Sequence, residues 1–75
     1  MDYFYEVYDE VDGFTWYFKS TKALEKFVQR RIYEHKADMK EYITKFEQFR
    51  DNENSFEGAN FTFLRYVVTR NWFDD

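Results

Sequence analysis

Apolar and polar positions alternate with a period of two through residues 3–18, which is typical of two β-strands. The dipeptide Asp12-Gly13 lies between them and favours a two-residue hairpin turn, because both residues tolerate positive φ. This turn predicts a core face with the pairs Val11–Phe14, Asp9–Trp16, Val7–Phe18 and Tyr5–Ser20. It predicts a solvated face with the pairs Glu10–Thr15, Tyr8–Tyr17 and Glu6–Lys19. Asp9 is the one residue that does not suit its predicted face.

The pattern changes to a helical period after Ser20 and Thr21, either of which is a good N-cap residue. Apolar side chains then recur on one arc as far as about residue 50. That arc consists of Leu24, Phe27, Val28, Ile32, Met39, Tyr42, Ile43, Phe46 and Phe49. The spacing predicts amphipathic helix through residues 21–50.

Two interpretations of residues 21–50 stay open. A single helix would be roughly 45 Å long, whereas a seven-residue strand spans only about 23 Å. Its far half would then pack on a second subunit, so we expect a homodimer in that case. A break near residues 36–38 would instead give two shorter helices. Asp38 and Glu41 resemble a capping box at the start of the second helix, although no Gly or Pro marks the break.

A polar loop over residues 51–60 precedes one more strand, predicted at residues 61–69 from its aromatic and β-branched content. The expected order of elements is β-β-α-β. We therefore expect one α+β domain over residues 1–75. Its antiparallel or mixed three-stranded sheet would be covered on one face by a long or broken helix.

Composition narrows the class of protein. The chain has 75 residues, no Cys, no apolar run of 18 residues and no signal-peptide pattern, so we expect a cytoplasmic protein outside the membrane. The net charge of −4 divides into −4 over residues 1–19, +3 over residues 20–50 and −3 over residues 51–75. This asymmetry indicates charged binding partners.

The sequence contains no catalytic or metal-binding motif. The carboxylates at positions 9, 10 and 12 lack the ligand series of an EF-hand loop. His35 is the only histidine, and no nucleophile is marked beside it. We therefore expect a protein that is not an enzyme and that uses no metal or cofactor, with His35 as a helix or interface residue.

Acidic residues gather at the predicted hairpin tip, and the fold would add others there. One long helix would return residues 51–57 to the tip. Two antiparallel helices would instead bring the end of the chain, with Asp74 and Asp75, to the tip. Such acids ordinarily serve solubility, but a rigid carboxylate array could also imitate phosphates and occupy a DNA-binding surface. Exposed tyrosines are candidate anchors for a protein partner. The candidate partner-binding residues are Asp9, Glu10, Asp12, Asp51, Glu53, Glu57, Asp74, Asp75, Tyr8 and Tyr17.

Basic residues form a second candidate surface on the predicted helix. Lys22, Lys26 and Arg30 step at four-residue intervals, which could match a nucleic-acid backbone. Interleaved acids favour an ordinary salt-bridged helix face instead. We expect no direct binding of nucleic acid and keep it as an alternative.

The acid clusters Asp9-Glu10-Val11-Asp12 and Asp51-Asn52-Glu53 occur in a small, acidic, aromatic-rich chain without Cys or paired catalytic groups. In these features it resembles the small early proteins with which lytic bacteriophages disable host machinery. Some of those are DNA mimics that act on nucleoid proteins of the HU type. The resemblance implies an inhibitor that occupies the DNA-binding surface of an HU-like host protein in the host cytoplasm. The main alternative is an inhibitor or adaptor that binds a host enzyme through an aromatic surface.

Overall fold

A computed structural model describes residues 3–51 and 60–72, which form a sheet and two helices. The elements in chain order are β1 (Tyr3–Asp9), β2 (Thr15–Phe18), α1 (Thr21–Glu34), α2 (Met39–Asp51), β3 (Asn60–Phe63) and β4 (Tyr66–Trp72). The strands lie in the order β2-β1-β4-β3, and all neighbours are antiparallel. The predicted α+β class is confirmed. The three-stranded sheet and the β-β-α-β order are wrong, because residues 61–69 form parts of two strands.

The additional strand arises from a reversal at Leu64 and Arg65. Phe63 pairs with Tyr66, so only two residues connect β3 to β4. Leu64 has a φ of 52°, a conformation that hairpin turns usually assign to Gly, Asn or Asp. The sequence has none of these residues at the reversal, which explains why a single strand was predicted.

This reversal also sends the last strand away from the hairpin tip. Trp72 pairs with Tyr3, at the end of the sheet opposite Asp9. The expectation that two helices would bring the end of the last strand to the tip is therefore wrong for β4. Asp74 and Asp75 themselves lie outside the described residues.

The β1–β2 hairpin has the predicted faces but not the predicted register. Val7 pairs with Trp16 and Tyr5 with Phe18, two positions from the prediction. Because strand side chains alternate, a shift of two positions leaves each of them on its expected face. The four residues 10–13 form the turn in place of the predicted two, and the predicted core pair of Val11 and Phe14 is 67% and 62% exposed.

The helical segment is broken, as the second interpretation predicted. Ser20 is the N-cap of α1, and its Oγ accepts a hydrogen bond from the N–H of Ala23 at 3.0 Å. At the other end Lys36 has a φ of 55°. The N–H of Ala37 donates to the carbonyl of Ile32 at 3.1 Å, and that of Lys36 donates to the carbonyl of Tyr33. These two bonds are the Schellman motif that ends many helices, here with Lys in place of the usual Gly.

The start of α2 is fixed by Asp38, whose Oδ1 accepts a hydrogen bond from the N–H of Glu41 at 3.1 Å. The predicted N-cap is thus confirmed. With the helix broken, the expectation of a second subunit packed on the overhanging half of one long helix loses its basis.

The core lies between the helices and one face of the sheet. Its buried residues include most of the predicted helical arc, while Met39 is 37% exposed. Aromatic rings contact one another throughout this layer, as between Phe61 and Phe63 at 5.5 Å between centroids. The buried apolar side chains are Tyr5, Val7, Leu24, Val28, Ile32, Phe46, Phe49, Phe61, Phe63, Tyr66 and Val68.

Arg70 is 2% exposed and lies on the core face of β4. Its Nη2 donates to the backbone carbonyl of Phe49 at 3.0 Å, and its guanidinium lies 4.7 Å from the centroid of the Phe49 ring. The carbonyls of the last helical turn have no partner within the helix. Arg70 therefore fixes the end of α2 to the sheet, at the end opposite the hairpin tip.

Candidate partner-binding surface

The β1–β2 turn, which we call the tip (residues 10–13), is closed by backbone hydrogen bonds. The N–H of Asp9 donates to the carbonyl of Phe14 at 2.8 Å, and the N–H of Gly13 donates to the carbonyl of Asp9 at 2.8 Å. Gly13 has a φ of 77°, which a residue without a Cβ adopts at little cost. All four tip residues are exposed.

Asp9 holds the tip in this shape from inside the protein. It is 1% exposed, and its Oδ1 accepts hydrogen bonds from the N–H groups of Val11 at 2.9 Å and Asp12 at 3.0 Å. Burial raises the pKa of the Asp9 carboxyl. The two N–H donors and nearby Arg65 outweigh that effect, and the net pKa lies below the ordinary value. The carboxylate therefore stays ionised. Its Oδ1 is the acceptor for two backbone N–H groups of the four-residue turn.

Arg65 connects the tip to the β3–β4 turn. Its Nη2 lies 3.0 Å from Oδ2 of Asp9 and 2.9 Å from Oδ2 of Asp12, and its carbonyl accepts a hydrogen bond from the N–H of Glu10 at 3.0 Å. Burial lowers the pKa of Arg65. Interactions with Tyr66 and with the two carboxylates outweigh this, so the pKa is raised overall. The tip is thus a pre-organised loop, which binds with less ordering cost than a mobile one.

The face of the sheet that points away from the helices lies directly beside the tip. Tyr8 is 43% exposed and Tyr17 is 65% exposed. Tyr8 pairs with Thr15 and Glu6 with Tyr17, so these four side chains are neighbours on that face. Glu10 continues the same side of β1 into the tip. We call the surface formed by Glu6, Tyr8, Tyr17, Glu10 and Asp12 the acidic–tyrosine patch.

The structure brings some of the predicted site residues together and separates others. Tyr8, Tyr17, Glu10 and Asp12 share the acidic–tyrosine patch. Asp9 lies beneath it and offers almost no surface to a partner. Glu53, Glu57, Asp74 and Asp75 lie outside the described residues.

Asp51 lies at the opposite end of the sheet from the tip, because α2 ends beside Tyr5 and Arg70. It pairs with Arg50 at 2.9 Å, and this hydrogen bond lowers the pKa of the Asp51 carboxyl. The convergence of Asp51 with the tip acids, which was expected for one long helix, therefore does not occur.

Two features of this surface, the position of Arg65 and the exposure of Val11, do not follow from the sequence pattern. Arg65 was predicted inside a strand, so nothing placed it beside the tip. The useful signal was Asp9 on an otherwise apolar face, because a buried carboxylate requires donors or a cation. The exposure of Val11 had no signal, since a two-residue turn would have placed it on the core side.

His35 is exposed and serves as the C-cap residue of α1, with its ring 6.2 Å from that of Tyr66. Asp38, one turn further on in the predicted helix, caps α2 instead of contacting His35. Within residues 3–51 and 60–72, no group of three His, Cys, Asp or Glu side chains is arranged to hold a metal ion.

The outer face of α1 carries the predicted basic residues. Lys22, Lys26 and Arg30 are exposed, and no carboxylate of the described segments lies within 4 Å of them. The two acids of α1 point to other cations: Glu25 pairs with Arg50 at 3.2 Å, and Glu34 pairs with Arg31 at 3.6 Å. The outer face of α1 is therefore a second charged surface, opposite in sign to the tip.

Comparisons with protein-family models, with curated proteins and with solved structures give no match to this chain. Neither α1 nor α2, the helices of the described ranges, has the length and apolar character required to cross a bilayer.

Proposed function

We infer that this chain is a non-enzymatic binding protein whose acidic–tyrosine patch occupies a basic surface of a partner protein. The observation that carries this inference is the arrangement around Asp9. A buried carboxylate and Arg65 hold the tip rigid, so that Glu10 and Asp12 stay exposed in a fixed loop at the end of the hairpin that carries the two exposed tyrosines.

The chemistry of the patch complements lysine and arginine. Carboxylates form charge-assisted hydrogen bonds with those cations, and tyrosine rings attract them through their π faces. Tyrosine is also enriched at protein interfaces. A DNA-binding surface of another protein has the required composition, since it must neutralise phosphates. A host nucleoid protein of the HU type is the partner class we propose, with the chain acting as an inhibitor of DNA binding.

The patch supports competition with DNA more than close imitation of it. Asp9 is buried, and Asp12 shares Arg65 with it, so the tip presents fewer carboxylate charges than the sequence suggested. Tyr8 and Tyr17 therefore supply a large part of the contact. This combines the DNA-mimic hypothesis with the alternative of an aromatic binding surface.

A mobility-shift competition tests the proposal with labelled duplex DNA and HU as the probe. Increasing amounts of the parent should release free DNA. Replacement of Glu6, Glu10 and Asp12 by their amides should weaken that release at least about tenfold, because three carboxylates face the basic surface. The control replaces Glu34, Glu41 and Glu47 by Gln, which removes the same charge from the helices. Equal release by both triple variants, or none by the parent, would contradict the proposal.

Direct binding of nucleic acid by α1 is a second candidate function. It is favoured by one observation: the acids of α1 pair with Arg31 and Arg50, which leaves Lys22, Lys26 and Arg30 facing solvent. If the parent shifts labelled DNA in the absence of HU, and a variant with Gln at those three positions does not, this candidate replaces the first.

A further inference from the structure

We propose that two copies of this chain associate through the edge strand β2, which would join their sheets into one continuous sheet around a two-fold axis. This inference does not depend on the proposed function. Within the described residues, β2 is an edge strand of four residues whose one neighbour in the sheet is β1.

The hydrogen bonds of β2 show which of its backbone groups face the edge. Asp9 donates to the carbonyl of Phe14, so this pair is hydrogen-bonded. Bonded and non-bonded pairs alternate in an antiparallel ladder, so Trp16 and Phe18 also direct their backbone groups towards β1. The N–H and C=O groups of Thr15 and Tyr17 therefore point outward, where an added strand would bond them.

Edge strands are protected from pairing with another chain by short length, charges, proline or a bulge. Residues 15–18 of β2 read TWYF, so the strand is short but carries no charge, proline or bulge. The aromatic side chains on its helix side are also incompletely covered: Phe14 is 62% exposed, and Trp16 and Phe18 are half-buried. Pairing would therefore satisfy backbone groups and remove aromatic surface from water together.

The opposite edge strand, β3, has no incompletely covered aromatic side chains on its core side. It also carries no charge, but its core-side residues Phe61 and Phe63 are already 6% and 1% exposed. A strand added to β3 would gain backbone bonds without covering new aromatic surface. This difference selects β2 as the site of association.

One register between the β2 strands of two copies gives every outward backbone group of β2 a hydrogen-bond partner. If Thr15 pairs with Tyr17 of the second copy, all outward backbone groups of both residues are used and the two Trp16 residues meet at the two-fold axis. The same register places exposed Phe14 beside half-buried Phe18 of the second copy, on the helix side of the sheet. Aromatic cross-strand pairs of this kind stabilise antiparallel sheets.

Charge complementarity also indicates that a second copy of this chain occupies the edge of β2. The acidic tip precedes β2, and Lys19 follows it. Antiparallel pairing would bring Lys19 of each copy to the tip of the other, with Glu10 and Asp12 exposed there. No carboxylate of the described chain lies within 4 Å of Lys19 in the single copy.

Sedimentation or light scattering over a concentration series from about 5 to about 500 µM tests the inference, because dimerisation follows mass action. The mass of the parent should rise from 9.5 kDa towards twice that value. The double variant Thr15→Lys, Tyr17→Lys should stay at 9.5 kDa, and so should the double variant Thr15→Glu, Tyr17→Glu. An equimolar mixture of the two variants should regain the dimer mass, because opposite charges then face each other across the edge.

The matched control is the double variant Asn60→Lys, Thr62→Lys in β3, because the backbone groups of these two residues face the other edge of the sheet. That variant should dimerise like the parent. The inference is overturned if the parent keeps the monomer mass at every concentration, if the β2 variants still dimerise separately, or if the β3 variant alone loses the dimer. Circular dichroism of each variant verifies the fold, and a parent that stays monomeric overturns the inference even if a variant fails to fold.

Discussion

Nη2 of Arg65 lies 3.0 Å from Oδ2 of Asp9, so the turn between β3 and β4 is bound to the turn between β1 and β2. The two residues are far apart in the sequence, and the contact joins the two hairpins at one end of the sheet. A buried carboxylate left without its cation is costly. The stability of the tip therefore depends on this pair.

Replacement of Arg65 by Gln should lower the melting temperature by roughly 10 °C, because Asp9 would keep a buried charge without its counter-ion. Replacement of exposed Glu10 by Gln should change it by only a few degrees. Thermal melts followed by circular dichroism compare the two. Similar small effects of both changes would show that the ion pair is not important for the fold.

Stability should fall at acidic pH through the same carboxylate. The pKa of Asp9 is lowered in the folded protein, so the unfolded chain takes up a proton first as the pH decreases. The stabilisation from Asp9 is thus complete above the ordinary pKa of an aspartate and is lost as the pH falls through the lower folded value. Urea unfolding between pH 6 and pH 2 should show Asp9→Asn converging on the parent at the acidic end. A constant difference across that range would contradict this explanation.

Trp16 packs against Phe27 at 5.3 Å between ring centroids, and the guanidinium of Arg31 lies 5.3 Å from the Trp16 ring. Because the indole is only half-buried, Trp16→Ala should cost about 2–3 kcal/mol in the free energy of unfolding, less than a fully buried tryptophan. Tyr17→Ala on the other face of the same strand should cost less than about 0.5 kcal/mol. Chemical denaturation at low protein concentration measures both. Equal costs would mean that β2 does not present Trp16 to the helices.

Lys36 adopts a positive φ at the end of α1, where a residue with a Cβ is strained by about 1 kcal/mol relative to Gly. Lys36→Gly should therefore stabilise the protein by about 0.5–1 kcal/mol, whereas Gln48→Gly within α2 should destabilise it by about 1 kcal/mol. Leu64→Gly should not stabilise, since it relieves a similar φ but loses a half-buried side chain. The urea midpoints of the three variants measure these changes in stability. A loss of stability in Lys36→Gly would contradict the Schellman geometry.

Elements with a strong local signal were predictable from the sequence. Ser20 and Asp38 have side chains that bond to nearby N–H groups, so the second cap could be located, and the first narrowed to Ser20 or Thr21, without tertiary information. The faces of β1 also followed from alternation alone. The four-residue turn could not be predicted, because it depends on one distant contact. The turn requires the buried Asp9 carboxylate, and the burial of that carboxylate requires Arg65.

The reversal at Leu64 illustrates the opposite case, in which tertiary packing overrides local preference. Its residue type disfavours positive φ, yet Phe63 and Tyr66 are both buried only if the chain turns back between them. The same reversal decides which end of the sheet β4 reaches. One missed turn thus accounts for the missing strand and for the wrong direction of the last one.

The acidic–tyrosine patch could be predicted in part. Tyr8 and Tyr17 were assigned to the solvated face, and a register shift of two positions leaves that assignment intact. The sequence predicts Asp9 as one of the partner-binding acids of the tip, but its side chain is buried on the opposite face. The burial of one carboxylate is what gives the other two a fixed position.

The most direct test of the proposed function is an amide NMR titration of the labelled chain with HU at low salt. We predict that the shifted signals concentrate at residues 6–12 and 15–17, that they diminish as added salt screens the charges, and that the amides of α1 change little. Shifts concentrated on the outer face of α1 around Lys22, Lys26 and Arg30, or no shifts at all, would contradict it.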